Sequence, residues 1–223
     1  LIIRTGHPFN LIGGSSGEFR LANVNYAQKL KFIKHFKQLS RQYDYTIFDL
    51  GAGIGRNVLD FALAADQTII VTTPQDLISG YACAKACFMR HMEIEERFEQ
   101  KLSGYELSQE YRPYMVINQV VDQREGMRIF KTIEKTADEN INANEPRFTI
   151  RPEYLGAVLY DKETMRKTES LHKPLLQQFP YSKAAQCIRH ISSKFINPQH
   201  RYDPRIKVGH RLRRFASVLS NMV

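Results

Sequence analysis

Residues 43–55 read Tyr-Asp-Tyr-Thr-Ile-Phe-Asp-Leu-Gly-Ala-Gly-Ile-Gly, and they are the strongest indication of the fold. Residues 46–48 show no polar alternation, which is typical of a short strand buried on both faces. Such a strand would end at Asp49, and the glycines that follow, Gly51 and Gly53, let the backbone approach a bulky anion. A carboxylate in this place can hold Mg²⁺ through its water shell. The stretch therefore predicts a nucleotide-phosphate site; the alternative is that Asp49 only caps the glycine turn.

The sequence of residues 49–54 resembles the Asp-x-x-Ala-Gly-Ile motif of the MinD/ParA family of ATPases, and most closely that of its flagellar-number-regulator branch. Four further stretches are similar to that family in the same order: residues 69–74, 116–119, 154–161 and 173–184. Each stretch alone is a weak signal, but their order and spacing are specific. The resemblance implies an α/β P-loop NTPase fold, with a mostly parallel sheet and helices on both faces. It also implies ATP and Mg²⁺ as cofactors, with Asp49 holding the metal through water.

Two polar residues in the second half of the chain are candidates for binding the base. Asn118 follows an apolar run, and its side-chain amide offers both a donor and an acceptor, which suits adenine. The family has an asparagine in this position, although Gln119 here replaces its common arginine. The alternative is that Asn118 caps the following turn. Asp161 could line the base pocket or begin a helix as its N-cap.

The chain lacks the lysine-bearing phosphate loop of the family. Neither Gly-x-x-x-x-Gly-Lys-Ser/Thr nor its lysine-first variant occurs. The nearest candidate, Gly-Gly-Ser-Ser-Gly at residues 13–17, has no lysine and is predicted to be a turn at a strand end. Because the sequence begins with a leucine, we expect a fragment whose first strands and phosphate loop lie upstream. The chain alone then has no catalytic residue, whereas the intact protein would be an ATPase.

Composition favours a cytoplasmic protein. Of 223 residues, 43% are hydrophobic, but no apolar run approaches the ~18 residues that span a bilayer, and no signal-peptide pattern is present. Three cysteines, an odd number, argue against a disulfide framework. Cys83 and Cys87 lie one helical turn apart and could share a metal, but no further ligand is suitably spaced. We therefore interpret them as core residues.

Strand-like and helix-like stretches alternate along the chain, as in layered α/β folds. Helices are predicted at residues 19–42, 56–65, 79–99, 126–136 and 182–195. Residues 136–148 are polar and are predicted to be a mobile connection. Residues 1–196 are assigned to the carboxyl-terminal portion of a MinD-like ATPase domain, and residues 197–223 to a tail.

The tail is predicted to be a basic amphipathic helix. It holds six basic residues and one acid, a net of +5 out of the chain's +9, and its apolar residues recur every three or four positions. Such helices bind membrane interfaces. The residues assigned to membrane contact are Val208, Arg211, Leu212, Arg214, Phe215 and Leu219. The alternative is a helix docked on its own domain.

The resemblance implies a switch that forms homodimers on ATP and regulates flagellar number or placement. Its expected partners are flagellar assembly proteins and the anionic lipids of the inner membrane, with which the protein would associate reversibly. Two other functions stay open: a ParA-like DNA-partitioning ATPase, in which basic charge is spread over the folded domain, and a pseudo-ATPase scaffold.

Overall fold

A computed structural model of the chain describes residues 2–7, 9–13, 35–36, 39–171 and 173–196. These residues belong to two compact units, Leu1–Thr46 and Ile47–Val223. The tail and its membrane-contact residues lie outside the described residues, as do positions 14–17 of the predicted turn. Of the predicted helix at 19–42, only residues 35–36 and 39–40 are described as helical.

The first unit contains an antiparallel hairpin of β1 (Ile2–His7) and β2 (Phe9–Ile12). The Thr5 hydroxyl donates a hydrogen bond to the Phe9 carbonyl at 2.6 Å, and the Asn10 amide donates to the Tyr43 hydroxyl at 3.0 Å.

The second unit is an α/β layer. Its elements, in chain order, are α1 (Arg56–Ala64), β3 (Ile69–Thr72), α2 (Leu77–Lys101), β4 (Glu110–Tyr111), β5 (Tyr114–Val120), α3 (Gln123–Asn140), β6 (Thr149–Ile150), β7 (Glu153–Leu159), α4 (Lys162–Leu171), α5 (Leu175–Gln178) and α6 (Lys183–Ile196). Three of the strands form a parallel sheet in the order β3–β5–β7. A separate pair of two-residue strands, β4 and β6, is also parallel.

One face of the sheet is covered by α6. Val116 on β5 and Leu155 on β7 pack with Ala184 in an apolar cluster, because alternate side chains of a strand point to the same face. The cluster extends to the end of α6, where the Phe195 ring meets the Tyr114 ring edge-on at 5.8 Å between centroids. Tyr114 is the first residue of β5, so α6 ends at the amino edge of the sheet.

The opposite face is covered by α2 and α3, which approach the strands through glycines. A Cβ on Gly80 would lie 2.6 Å from the Thr72 side chain, and one on Gly126 would lie 2.5 Å from the Ala157 Cβ. Real Cβ atoms do not come so close, so glycine permits both contacts. Helices on both faces of a parallel sheet confirm the predicted fold class.

The strand predicted at residues 46–48 is wrong for the described structure. Residues 45–50 lie outside any strand, and Ile47 is 88% exposed. A strand exists only where a neighbour completes its hydrogen-bond ladder. Within the described sheet, β3 pairs with β5 alone, and its residues Ile69 and Val71 are 43% and 60% exposed.

The mobile connection predicted at residues 136–148 is also wrong. Helix α3 continues to Asn140, and Asn142 then holds the chain in place. Its side-chain oxygen accepts from the Ile150 N–H at 2.9 Å, and its amide donates to the Ile150 carbonyl at 3.0 Å. Residues 136–140 are therefore helical, and two hydrogen bonds from Asn142 fix the connection that follows them.

Candidate functional site

The carboxyl ends of three parallel strands lie at one edge of the sheet. Thr72 at the end of β3 is level with Ile117 on β5, and Asn118 is level with Val158 on β7. Open α/β sheets bind their ligands at this edge. The turn that leaves β3 is fixed by the Thr72 hydroxyl, which donates to the Asp76 carbonyl at 2.8 Å. The edge is therefore a candidate ligand site.

Asn118 and Gln119 form the most unusual backbone of this edge. Gln119 has φ of 61° and is the only residue other than glycine with a positive φ in the described chain. The β5–β7 ladder shifts register between Asn118 and Val120, as at a β-bulge. A backbone conformation of this kind is strained and persists only where the surrounding fold holds it in place. Such conformations occur most often at ligand sites.

The Asn118 side chain is half-buried and partly used by the fold. Its oxygen accepts from the Gln119 N–H at 2.9 Å, which is the capping role left open by the sequence. Among the described residues its amide nitrogen has no hydrogen-bond partner. The amide NH₂ group of Asn118 can thus donate hydrogen bonds to a group at this edge of the sheet.

Asp161 begins helix α4, two residues after β7 ends. Its carboxylate accepts from the Thr164 N–H at 3.3 Å, which matches the N-cap role considered for it. Nearby, the pKa of Glu163 is lowered because Lys167 donates to it at 2.6 Å. The other carboxylate oxygen of Asp161 has no hydrogen-bond partner among the described residues.

Asp49, Gly51 and Gly53 lie in the exposed segment before α1. Gly53 has φ of +128° and open space around its Cα, so the backbone there requires glycine. Gly55 is the N-cap of α1 and supplies no side-chain hydrogen bond, so the first N–H groups of that helix could meet an anion. The described contacts do not bring Asp49 together with Asn118 or Asp161.

Sequence reasoning missed the capping box that begins α3. Asp122 accepts from the Glu125 N–H at 2.8 Å, and Glu125 accepts in return from the Val121 N–H at 2.6 Å. The signal was present as Asp-x-x-Glu, a variant of the usual capping box. Gln123 in the first turn donates to the Ala157 carbonyl at 3.2 Å, which ties α3 to β7 beside Asn118.

The residues present fit part of an adenine nucleotide. Asn118 suits the base, and the glycines with the start of α1 suit phosphate, but the chain has no lysine-bearing loop to complete the phosphate site. The described residues contain no group of three or more His, Cys, Asp or Glu side chains that could hold a metal. A single carboxylate is still enough for Mg²⁺, which keeps several waters and binds phosphate oxygens.

The parallel sheet, its covered faces and the polar carboxyl edge define an α/β protein consistent with the P-loop NTPase fold. No protein-family model matches the chain. The chain is 23% identical over 186 residues to the antiactivator FleN of Pseudomonas aeruginosa, a match that covers 82% of this chain and 58% of that protein. It is 29% identical over 150 residues to the flagellum site-determining protein YlxH of Helicobacter pylori, covering 66% and 42% respectively.

These matches confirm the resemblance to the flagellar-number-regulator branch of the MinD/ParA family. The chain spans about half the length of the curated relatives it matches. Within the described ranges, no helix combines the length and apolar character needed to cross a bilayer.

Proposed function

We propose that this chain is part of a MinD-type switch that binds ATP and Mg²⁺, dimerises, and regulates flagellar number or placement. Residues 1–196 would be the carboxyl-terminal portion of its ATPase domain. The observation that carries the proposal is the strained edge at Asn118 and Gln119, at the position where the family motif has its adenine-binding asparagine. Similarity to two proteins named for flagellar regulation supports the biological role and flagellar assembly proteins as partners.

The proposed nucleotide site needs one more strand than the described sheet has. An added strand could pair with the second edge of β3 on one side and with residues 46–48 on the other. Residues 46–48 would then become a buried strand that brings Asp49 to the carboxyl edge. The lysine-bearing loop would follow the added strand, so the proposal makes the intact protein an ATPase and this chain alone inactive.

The coding sequence upstream of Leu1 provides the first test. We expect it to encode an apolar strand followed by a glycine-rich loop with lysine. An upstream sequence with intact reading frame and no such loop would support the pseudo-ATPase scaffold instead and would remove the hydrolase part of the proposal.

Asn118 provides a direct test of base recognition in the protein that carries the lysine loop. We expect Asn118→Ala to weaken ATP binding roughly tenfold, because a hydrogen bond in a desolvated site contributes about 1–2 kcal/mol. GTP binding should change much less. Titration with a fluorescent ATP analogue, and competition by GTP, measure both. Equal loss for the two nucleotides would mean that Asn118 only supports the turn.

Asp49 provides the test of the metal site. Asp49→Asn should leave metal-free nucleotide binding intact and abolish most of the gain in affinity that Mg²⁺ provides, because the amide no longer offsets the cation's charge. Asp76→Asn is the matched control, since Asp76 is an exposed carboxylate that follows β3. If both variants respond to Mg²⁺ like the unaltered protein, Asp49 does not hold the metal.

The tail at residues 197–223 supports reversible association with the inner membrane from the cytoplasm. Each basic residue near an anionic leaflet adds up to about 1 kcal/mol, and burying a large apolar side chain adds about 2 kcal/mol. Ordering the tail costs roughly 1 kcal/mol per residue. One tail would therefore bind weakly, and the paired tails of an ATP-bound dimer would bind more firmly through their effective concentration.

Deletion of residues 199–223 separates the membrane function from the DNA alternative. We expect the deletion to abolish sedimentation with anionic liposomes and to leave any shift of duplex DNA unchanged. A matched variant, Leu212→Gln with Phe215→Gln, keeps every tail charge and should also lose liposome binding. Liposome binding that survives the deletion would contradict the membrane role, and a tail-independent DNA shift would favour a partition ATPase.

A further inference from the structure

Charge is divided unevenly along the second unit. Residues 47–160 hold twelve Lys or Arg against seventeen Asp or Glu, a net of −5. Residues 161–196 hold seven Lys or Arg against three Asp or Glu, a net of +4, and the sequence from 170 to 196 contains no Asp or Glu. The last three helices therefore carry positive charge on a unit that is otherwise negative.

These three helices lie on one face of the sheet. Met165 of α4 and Leu175 of α5 pack against the same apolar cluster as α6 does, whereas α2 and α3 cover the opposite face. Among the described residues, Lys167 is the only one of the seven basic side chains in a salt bridge. Five of the others are exposed, and we call the surface that they form the basic face: Lys162, Arg166, Lys173, Lys183 and Arg189.

Three large apolar side chains are exposed on the same helices and the turn between them. Leu171 is 47% exposed, Leu176 is 37% exposed and Tyr181 is 86% exposed. The turn at Tyr181 is tied to α6, because its carbonyl accepts from the Gln186 side chain at 2.8 Å. The fold thus holds the aromatic ring in solvent among basic residues, and apolar groups displayed in this way mark interaction surfaces.

We propose that the basic face contacts an anionic lipid bilayer, with Tyr181, Leu171 and Leu176 entering the headgroup region. A tyrosine ring suits this place because one end is apolar and the other can stay wet, and lysines can reach the lipid phosphates from apolar stems. The inference rests on the membrane association in the proposed function. It adds a second lipid contact to the tail, which follows α6 directly and has a net charge of +5.

The exposed leucines favour lipid over nucleic acid as the anionic partner. Binding to a phosphate backbone is electrostatic and uses Lys and Arg, so it gives no role to Leu171 and Leu176. A membrane interface takes up apolar side chains and basic side chains together. With the basic face on the bilayer, α2 and α3 would be turned away from the lipid.

A tryptophan placed in the basic face tests the contact directly. The chain has no tryptophan, so Tyr181→Trp gives the full chain a single fluorophore. The vesicles contain phosphatidylglycerol and a phosphatidylcholine brominated near its headgroup, since bromine quenches tryptophan at close range. We expect the bound protein to lose roughly half of its fluorescence or more. Ile78→Trp is the matched control, because Ile78 is 83% exposed at the start of α2 on the opposite face, and it should lose less than about a tenth.

Charge reversal tests the electrostatic part of the contact. Lys173→Glu combined with Lys183→Glu should weaken sedimentation of the full chain with the same vesicles roughly tenfold or more, because basic residues near an anionic leaflet strengthen binding. Lys85→Glu combined with Arg128→Glu makes an equal change of charge on α2 and α3. This control should weaken binding less than about twofold, since the sheet lies between and the Debye length is about 10 Å at about 0.1 M salt. Equal losses from the two pairs would overturn the inference.

The possible results separate this inference from the proposed function. Sedimentation without quenching of Tyr181→Trp would overturn the basic face as a lipid contact and leave the membrane role to the tail. If the unaltered chain does not sediment with the vesicles, the inference and the membrane part of the proposed function both fail. Unchanged vesicle binding by the Lys173 and Lys183 variant, with loss of a duplex DNA shift, would assign the basic face to nucleic acid instead.

Discussion

At Gly126, helix α3 packs closely on β7. An added Cβ would lie 2.5 Å from the Ala157 Cβ and 2.9 Å from the Tyr154 hydroxyl oxygen. Alanine normally favours a helix over glycine by about 1 kcal/mol, but overpacking a core costs about 1–3 kcal/mol. We expect Gly126→Ala to lower the free energy of unfolding by about 1–2 kcal/mol, as measured by urea denaturation.

Gly51 supplies the control for this residue-scale prediction. A Cβ on Gly51 has nothing within 4 Å, so Gly51→Ala should change the unfolding free energy by less than about 0.5 kcal/mol. A Gly126→Ala variant that is as stable as Gly51→Ala would show that α3 can shift away from β7 without cost.

At the scale of elements, α1 and α2 are joined by a buried ion pair. The Arg90 guanidinium contacts the Asp60 carboxylate at 2.8 Å, with side-chain exposures of 8% and 3%. Removing Asp60 would leave the buried Arg90 charge with only the exposed Glu93 carboxylate, at 2.6 Å, as its partner. We expect Asp60→Ala to cost about 3 kcal/mol of unfolding free energy, and Lys131→Ala, at an exposed pair with Glu134, to cost less than about 0.5 kcal/mol.

The double variant of the same pair tests this explanation. Asp60→Ala combined with Arg90→Met removes both charges and should be more stable than Asp60→Ala alone. Additive losses from the two substitutions would instead indicate that the pair acts only through packing and not through charge.

The turn between α3 and β6 depends on Asn142. Its amide group pairs with both backbone groups of Ile150, as a strand neighbour would. We expect Asn142→Ala to cost about 1–3 kcal/mol, because it leaves buried backbone groups without partners. Hydrogen exchange at the Ile150 amide should accelerate in step with that loss. An amide that stays equally protected would mean that another group replaces Asn142.

For the whole molecule, the apolar runs of the sequence predicted the positions of strands better than they predicted which strands are neighbours in the sheet. Residues 69–71 and 115–117 form continuous apolar runs, and both belong to strands of the parallel sheet in the structure. Residues 46–48 have the same pattern but belong to no strand, since the pattern cannot show whether a neighbouring strand is present. The two hydrogen bonds between Asn142 and Ile150 could not be predicted for a similar reason, because the two residues are eight positions apart in the sequence.

Of the candidate site, the sequence located the polar residues but not their geometry. Asn118 and Asp161 both lie at the carboxyl edge of the sheet or just beyond it, as the motif order implied. The left-handed backbone of Gln119 could not be anticipated, since it arises at a shift of strand register, whereas the capping of α4 by Asp161 was one of the two roles that the sequence offered. The membrane-contact residues of the tail stay predictions.

Within the described residues, the second edge of β3 pairs with no other strand, and we expect this edge to promote association at high concentration. Exposed strand edges pair with one another, and here Val71 is 60% exposed beside such an edge. We expect Val71→Lys to reduce light scattering of concentrated samples roughly twofold or more. Ile78→Lys is the control, because Ile78 is 83% exposed but lies on α2. Equal reduction by both variants would point to general solubility instead.

The contact of Phe195 with Tyr114 fixes where the chain leaves α6. That point is at the amino edge of the sheet, whereas Asn118 and Asp161 are at the carboxyl edge. Under the proposed function, the nucleotide edge and the start of the tail would thus lie at opposite poles of the second unit, so a ligand bound at one pole would not need to displace a ligand bound at the other.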